Sequence, residues 1–167
     1  MLQPVVRRTW APRGRTPVLK EWDRHDRLSV VSALTVAPKR RRFGLYWRSQ
    51  RRNIRGEDLV AFLRELLRHL RRGVILIWDR WSVHKSRTVR QYLEPHAARI
   101  DLEWLPSYAP DLNPDEHVWG NTKCGELANF CPDDLDQLEA AVDCAMGKQA
   151  RRSSLLRSFF KLAGLKL

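Results

Sequence analysis

A run of five apolar residues, Val74–Trp78, constrains the fold of this 167-residue chain more than any other stretch. Three of the five are β-branched, and Gly73 and Asp79 bound the run, which predicts a short strand buried on both faces of a sheet. A carboxylate at the end of such a strand is costly unless it faces a cleft, a partner or a metal ion. Open α/β sheets bind ligands at the carboxyl ends of their strands. The alternative is that Asp79 only opens the turn that follows.

Other regular elements are predicted on both sides of this strand. Residues 57–72 carry an apolar stripe and charges suited to a helix that ends at Gly73 and leads into the strand. The remaining predicted elements are a hairpin of strands 28–36 and 43–47, a helix over 86–98 that Pro95 kinks, a strand over 100–104, a helix from 114 to about 129, a helix over 132–146 and an amphipathic tail from 151.

A second candidate acid, Glu116, falls at the start of a predicted helix. Asn113 suits the N-cap and Pro114 the first helical position, so Glu116 stands where a capping-box glutamate reaches back to the cap. Trp119 and Lys123 follow at spacings of three and seven, which predicts that they share a helical face with Glu116. An acid, an aromatic ring and a base on one face favour a polar cleft. Both interpretations of Glu116 stay open.

Basic residues are concentrated in the first part of the chain. The sequence has 31 Lys and Arg against 19 Asp and Glu, a net charge of +12. Residues 1–72 carry a net charge of +13, and residues 73–167 carry −1. This asymmetry is typical of a surface that binds a polyanion, with a basic surface that serves only solubility or ribosome binding as the alternative. The predicted hairpin tip is the densest cluster, with Lys39, Arg40, Arg41 and Arg42.

A long ordered motif resembles the catalytic core of DDE transposases, in the mariner-like branch and its bacterial insertion-sequence (IS-six-thirty) type. The residues that carry this resemblance are Thr9 to Pro17, Asp79, His84, Lys85, Ser86, Trp104 to Glu116, Trp119 and Lys123. The resemblance implies an α/β, RNase H-like mixed sheet flanked by helices. It also implies a transposase that cuts and joins the DNA ends of an insertion sequence, with Asp79 and Glu116 as two of three metal-binding carboxylates.

The same resemblance assigns roles and partners. Two Mg²⁺ (or Mn²⁺) ions are expected in a complete site, with Asp79 bridging them and Glu116 holding one. His84 is expected to orient the site through a hydrogen bond, with a contact to DNA as the alternative. Lys123 lies ~10 Å along the predicted helix from Glu116, within reach of a neighbouring phosphate. Insertion-sequence ends and target DNA are the expected partners, and a homodimer or a separately encoded N-terminal half is a further one. The DNA contacts expected are Lys39, Arg40, Arg41, Arg42 and Lys123.

Two departures from the family pattern leave catalysis open. Arg80 stands where the family usually has asparagine. The family's first catalytic aspartate lies on a strand before the segment at Trp10, so we expect the sheet to lack its first strand and this chain alone not to cut DNA. Asp23 and Asp26 are the nearest substitutes, expected at the wrong end of the sheet. The chain is then part of a transposase, a non-catalytic basic DNA-binding remnant, or half of a split transposase.

The remaining expectations concern organisation and location. Residues 1–130 are predicted to form the catalytic core and residues 131–167 a helical extension that caps the core or meets another subunit. The three cysteines lack zinc-knuckle spacing, and no apolar run approaches the ~20 residues of a membrane span. A cytoplasmic, nucleoid-associated protein of a bacterium is expected.

Overall fold

The computed structural model describes residues 7–15, 18, 27–39 and 42–165 of the chain. This part contains four strands and five α-helices, with 3-10 turns at Glu94–His96 and Pro110–Leu112. In chain order the elements are β1 (Ser29–Val36), β2 (Phe43–Gln50), α1 (Gly56–His69), β3 (Val74–Trp78), α2 (Arg87–Leu93), β4 (Ile100–Trp104), α3 (Pro114–Asn121), α4 (Leu135–Ala150) and α5 (Ser153–Leu162).

The four strands form two separate two-stranded sheets. The predicted hairpin is present, with β1 and β2 antiparallel and Val36 opposite Phe43 next to the turn. The predicted strand ending before Asp79 is β3, and it pairs in parallel with β4 from Val74 opposite Ile100 onward. No hydrogen bonds join the two sheets among the described residues, so β1 and β3 each keep one unpaired edge.

The prediction that β3 is buried on both faces is wrong. Ile75 and Ile77 are 67% and 55% exposed. They share their face with Asp101 and Glu103, which stand opposite them on β4 and are also exposed. Helices cover only the other face of the β3–β4 sheet. Within the part of the chain that the structure describes, the face that carries Ile75 and Ile77 is therefore exposed to solvent, although the strand is apolar enough to be buried on both sides.

Helices α1 and α2 cover the inner face of both sheets. The apolar stripe of α1 is buried as predicted, and it packs with Trp78 of β3 and Val89 of α2. Val31 of β1 and Tyr46 of β2 join the same cluster, so α1 bridges the two sheets although their strands do not pair. Arg99, just before β4, donates hydrogen bonds to the carbonyl oxygens of Leu67 and Leu70 and thereby caps the carboxyl end of α1.

The other face of the hairpin packs against the last three helices. Its residues, including Leu45, form a second cluster around Met146 of α4, with Val118 of α3 and Leu156 of α5 fully buried. The last three helices therefore pack on the hairpin and supply most of this second cluster. None of the helices in the described residues is long and apolar enough to cross a membrane.

Helix α3 is shorter than the sequence predicts. The sequence pattern extends it to about Asn129, but it ends at Asn121 and passes into a π-helical turn, Thr122–Glu126. Leu127 donates its N–H to the carbonyl of Thr122, five residues back, which widens the turn. Thr122 is fully buried, and its hydroxyl accepts a hydrogen bond from Gln149 of α4, so a tertiary contact accompanies the change of helix type.

We predict that α5 contributes as much stability as an internal core element. Leu156→Ala removes a fully buried side chain and should lower the free energy of unfolding by about 2–5 kcal/mol. Leu162→Ala, on the same helix but 66% exposed, should change it by about 0.5 kcal/mol or less. Urea denaturation measures both. Equal effects would show that α5 is not packed as described.

Candidate catalytic centre

Asp79 stands immediately after β3, at the carboxyl end of the parallel strand pair. Its Oδ1 accepts a hydrogen bond from the N–H of Trp81 at 2.9 Å, so it does open the following turn. The same oxygen lies 2.9 Å from Nδ1 of His84, and half of the side chain remains exposed. Asp79 therefore opens the turn and is also accessible from solvent. One of its oxygens accepts the hydrogen bond that forms the turn, while about half of the side chain stays exposed.

His84 holds Asp79 from behind. Its ring stacks on Trp78 with centroids 4.4 Å apart and planes 8° from parallel. Nδ1 also lies 3.1 Å from the carbonyl oxygen of Asp79. Burial lowers the pKa of His84 below its usual value, while the contacts with Asp79 oppose that shift. A neutral imidazole can donate its Nδ1 hydrogen to Asp79, the geometry expected of a group that orients a ligand.

Glu116 lies in the first turn of α3 and is exposed. The side chain of Asn113 caps this helix by accepting the N–H of Asp115 at 3.1 Å. The N–H of Asn113 itself donates to the carbonyl of Pro110, so the capping-box interpretation of Glu116 is wrong. Among the described residues, none donates a hydrogen bond to the Glu116 carboxylate. The positive end of the helix dipole favours a negative charge at this position.

Asp79 and Glu116 line one open cavity although 36 residues separate them in sequence. The cavity has a volume of about 170 Å³. Its remaining lining comes from Arg80 and from the loop between β4 and α3, namely Leu105, Pro106, Ser107, Tyr108, Ala109, Pro110 and Asn113. Leu105 donates its N–H to the carbonyl of Trp78, the residue before Asp79. The loop that leads to Glu116 thus begins beside Asp79.

A third acid, Asp115, is half-buried beside Glu116, and the sequence alone does not single it out. Its Oδ2 accepts hydrogen bonds from Ser32 of β1 at 2.6 Å and from Nε1 of Trp119 at 3.1 Å. Its Oδ1 is buried with no partner in the described residues. Burial is the main cause that raises the pKa of Asp115 to about 6; the hydrogen bonds from Ser32 and Trp119 oppose the rise, and the charges of Glu116 and Asp79 add to it. The signals in the sequence are a serine within an apolar strand and a tryptophan four residues after the acid.

The remaining predicted site residues divide between the cavity and other places. Arg80 lines it and donates from Nε to the carbonyl of Leu105. Trp119 does not line the cavity; its Nε1 donates to Asp115 and its ring packs against the core cluster of the last helices. Lys123 falls in the π-helical turn, where the helical spacing from Glu116 no longer applies, and it does not line the cavity.

At the hairpin tip, Lys39 and Arg42 are exposed, whereas Arg40 and Arg41 lie outside the described residues, as do Asp23 and Asp26. The basic residues at the far end of the hairpin are different, because they form ion pairs. Arg51 pairs with Asp136 and Glu139 at the start of α4, and Arg52 pairs with Asp58 of α1. The hydrogen bond from Arg52 holds the pKa of Asp58 well below its usual range. Arg51 and Arg52 therefore connect the end of the hairpin to helices α4 and α1.

A known family matches the sequence that builds this arrangement. The sequence profile described as DDE superfamily endonuclease matches residues 1–139. This chain belongs to the DDE superfamily of endonucleases. No protein with a curated description matches it.

Solved structures of the mariner transposase Mos1 share the fold of this DDE-superfamily chain. The Mos1 paired-end complex with Mg aligns with a TM-score of 0.64 at 13% identity, the complex with Mn with 0.62 at 18%, and the strand transfer complex with 0.60 at 19%. Each alignment covers 98% of this chain and 48–50% of the Mos1 chain, so this chain spans about half the length of Mos1. The RNase H-like fold expected from the sequence is confirmed.

The donor set of the DDE-superfamily site fits a divalent ion in part. Membership of the superfamily implies divalent metal ions, and Mg²⁺ is commonly held by one or two carboxylates together with water and substrate phosphates. Asp79 and Glu116 supply two carboxylates on one cavity. Within the residues that the structure describes, no group of three or more His, Cys, Asp or Glu side chains could hold a metal ion together.

We predict that Asp115 makes the stability of this DDE-superfamily chain fall as the pH rises from about 4 to 6. The folded state holds its proton to about pH 6, whereas an unfolded aspartate releases it near pH 4. The free energy of unfolding should therefore fall by about 3 kcal/mol across that range and stay reduced above it. Asp115→Asn should remove this loss and be the more stable protein at pH 7.5.

Urea denaturation at several pH values, without divalent ions, measures the difference between the two proteins. Asp111→Asn, which changes an exposed acid of the same loop, is the control and should follow the unmodified chain. A difference that does not change between pH 4 and 7 would show that Asp115 is ionised in the folded state.

Proposed function

We propose that this chain forms the carboxyl-terminal part of the catalytic domain of a transposase of the bacterial insertion-sequence type, acting on DNA ends. The observation that carries this proposal is the convergence of Asp79 and Glu116 on one cavity. The family match and the fold shared with Mos1 complexes support it. We also propose that the protein acts at the nucleoid in the cytoplasm.

In the same proposal, the catalytic core extends to about residue 130, and the residues after it form a helical extension.

Each side chain of the site has a distinct task in this proposal. Asp79 and Glu116 would hold the metal ions, and His84 fixes the orientation of Asp79 through its Nδ1 contact. Two Mg²⁺ or Mn²⁺ ions, when bound, stabilise the attacking and leaving oxygens of a phosphodiester displacement. Asp115 secures the start of α3 on β1 and thereby holds Glu116 at the cavity.

The basic residues hold the DNA in this proposal. Lys39 and Arg42 are exposed at the hairpin tip, whereas Arg51 and Arg52 already have acidic partners. Contacts from lysine and arginine to phosphates position a duplex without reading its sequence. Arg40, Arg41 and Lys123 remain further candidates for these contacts.

A second candidate, half of a split transposase that needs another segment for its third carboxylate, is favoured by the unpaired edges of the two sheets. A strand that paired with β1 and β3 would join the sheets, cover unpaired backbone and bring side chains beside Asp79. The exposed side chains of Ile75 and Ile77 mark an apolar face that such an addition could bury.

DNA binding should depend steeply on salt and on the hairpin tip. If 6–10 phosphates are contacted, affinity for duplex DNA should fall roughly 10³–10⁵-fold between 50 and 200 mM salt. The double variant Lys39→Ala with Arg42→Ala should weaken binding to all sequences. It should also reduce the slope of log affinity against log salt by about 0.9 for each phosphate that is no longer neutralised. Fluorescence anisotropy at several salt concentrations measures both quantities.

The charge-matched control for the hairpin variant removes Arg157 and Lys161, two exposed cations on α5. It loses the same net charge from another surface and should keep the original salt slope. A hairpin variant that behaves like this control would show that the tip points away from DNA. A flat salt titration of the unmodified chain would contradict the proposed DNA binding itself.

Divalent ions should bind at Asp79 and Glu116. The variants Asp79→Asn and Glu116→Gln should each weaken Mn²⁺ binding at least tenfold, because each removes a charged oxygen ligand. Asp101→Asn and Glu103→Gln make the same changes on the bare face of β4 and should leave binding unaltered. Titration of Mn²⁺ followed by paramagnetic resonance measures the affinities.

The same proteins test the reaction in a strand-nicking assay with Mg²⁺ or Mn²⁺. We expect this chain alone not to nick DNA and a version extended upstream to do so, because only two carboxylates meet in the described residues. Robust nicking by the short chain that Asp79→Ala abolishes would contradict this expectation and direct attention to Asp23 or Asp26.

A further inference from the structure

Tyr108 has the most unusual conformation in the loop that lines the acidic cavity. Its φ angle is +56°, one of two positive values among the described non-glycine residues. Its side chain is fully exposed. A left-handed backbone is costly for a bulky residue, and glycine or asparagine would adopt it more easily. A large aromatic side chain left in water also forgoes the stabilisation that burial gives.

The local sequence explains why the turn falls on this residue. Leu105 and Ala109 each precede a proline, and a residue before proline is kept out of the α-helical region. The reversal of the chain must therefore be made between them, at Ser107 and Tyr108. Nothing in this constraint requires an aromatic side chain at the left-handed position.

Both ends of the loop are fixed next to the two acids. At one end, Leu105 donates its N–H to Trp78 and accepts a hydrogen bond from Arg80, the residues on either side of Asp79. At the other end, Asn113 caps the helix that carries Glu116. The exposed ring of Tyr108 thus lies on a loop whose two ends are held by hydrogen bonds next to Asp79 and Glu116.

The cavity is suited to part of a polymer rather than to a separate small ligand. Its volume of about 170 Å³ is below the ~300–1,000 Å³ of sites that enclose small molecules. Asp79 and Glu116 line it together with Arg80, a cation that can contact a phosphate next to the acids. Tyr108 belongs to the same lining, and its side chain is fully exposed to solvent there.

We propose that Tyr108 is a stacking platform for an unpaired DNA base beside the phosphate on which Asp79 and Glu116 act. The inference rests on the proposed function and adds a substrate feature, a base that has left the duplex at the cutting or joining site. Aromatic side chains stack on the flat face of any base, so this contact is independent of sequence. It gives a use for an exposed ring on a strained backbone in the loop that lines the cavity.

The test compares two DNA probes and three variants of Tyr108. One probe is a duplex with 2-aminopurine in an unpaired 3′ overhang, and the other carries 2-aminopurine paired inside a blunt duplex with the same number of phosphates. Tyr108→Phe keeps the ring. Tyr108→Leu keeps the apolar bulk and the backbone cost but removes the ring. Tyr108→Asn removes the ring and suits the left-handed conformation.

The unmodified chain and Tyr108→Phe should quench the unpaired 2-aminopurine. Tyr108→Leu and Tyr108→Asn should lose the quench and bind the overhang probe roughly 5- to 150-fold more weakly, while all four proteins bind the blunt duplex equally. Tyr108→Asn should also melt at a higher temperature than the unmodified chain, since the ring supports no packing. This combination of higher stability with weaker overhang binding is not expected of a structural residue.

Several results would overturn the inference. Equal binding and quenching by Tyr108→Leu, with salt-dependent duplex binding intact, would exclude base stacking while leaving the proposed function standing. Loss of the quench in Tyr108→Phe would assign the effect to the hydroxyl group. A lower melting temperature in Tyr108→Asn would show that the ring is a packing residue. Absence of binding to either probe would remove both the proposed function and the inference that rests on it.

Discussion

The buried carboxyl of Asp115 connects the hairpin to the helix that carries Glu116. It accepts hydrogen bonds from Ser32 on β1 and from Trp119 one turn further along α3, so it determines how that helix is rotated against the sheet. Successive residues of an α-helix are about 100° apart around its axis. Because Asp115 points toward β1, Glu116 is turned outward to the cavity. The two adjacent acids thus have different environments, one half-buried with a raised pKa and one exposed.

Asp79 reaches the same cavity by a different route. The parallel pairing of β3 with β4 places the ends of both strands together, and the hydrogen bond from Leu105 to Trp78 continues that pairing past the last paired residues. The loop after β4 therefore begins next to Asp79 in space and ends at Asn113, the N-cap of α3. Convergence of the two acids needs only these local links, which is why it is present although the two sheets share no hydrogen bonds in the described part of the chain.

Elements whose signals are local could be predicted from the sequence. The strand before Asp79, the helix that ends near Gly73, the hairpin and the N-cap at Asn113 all follow from runs of a few residues, and the structure contains each of them. Features decided by distant contacts could not. The environment of Asp115 depends on a hydrogen bond from Ser32, 83 residues away. The π-helical turn that contains Lys123 is accompanied by a hydrogen bond from Gln149 to Thr122. Apolar strand composition likewise could not reveal that one face of β3 is bare.

The net charge could be read from the sequence, but the ion pairs that some of the charged residues form could not. Net charge counts every arginine of the hairpin as free, yet Arg51 and Arg52 are held by acids, two of which lie on α4. Exposed ion pairs of this kind contribute little stability individually, so their main consequence is that these cations are less available to a polyanion.

In the proposed function, the exposed cations at the hairpin tip and the acids of the cavity contact the same DNA. Asp79 and Glu116 repel a phosphate unless a divalent cation lies between them, and such a cation reverses the sign of that local interaction. Binding of DNA and of metal ions at this site would therefore favour each other, and linkage requires the two effects to be equal. In the proposed function, the basic hairpin tip and the acidic cavity would then both contribute to DNA binding.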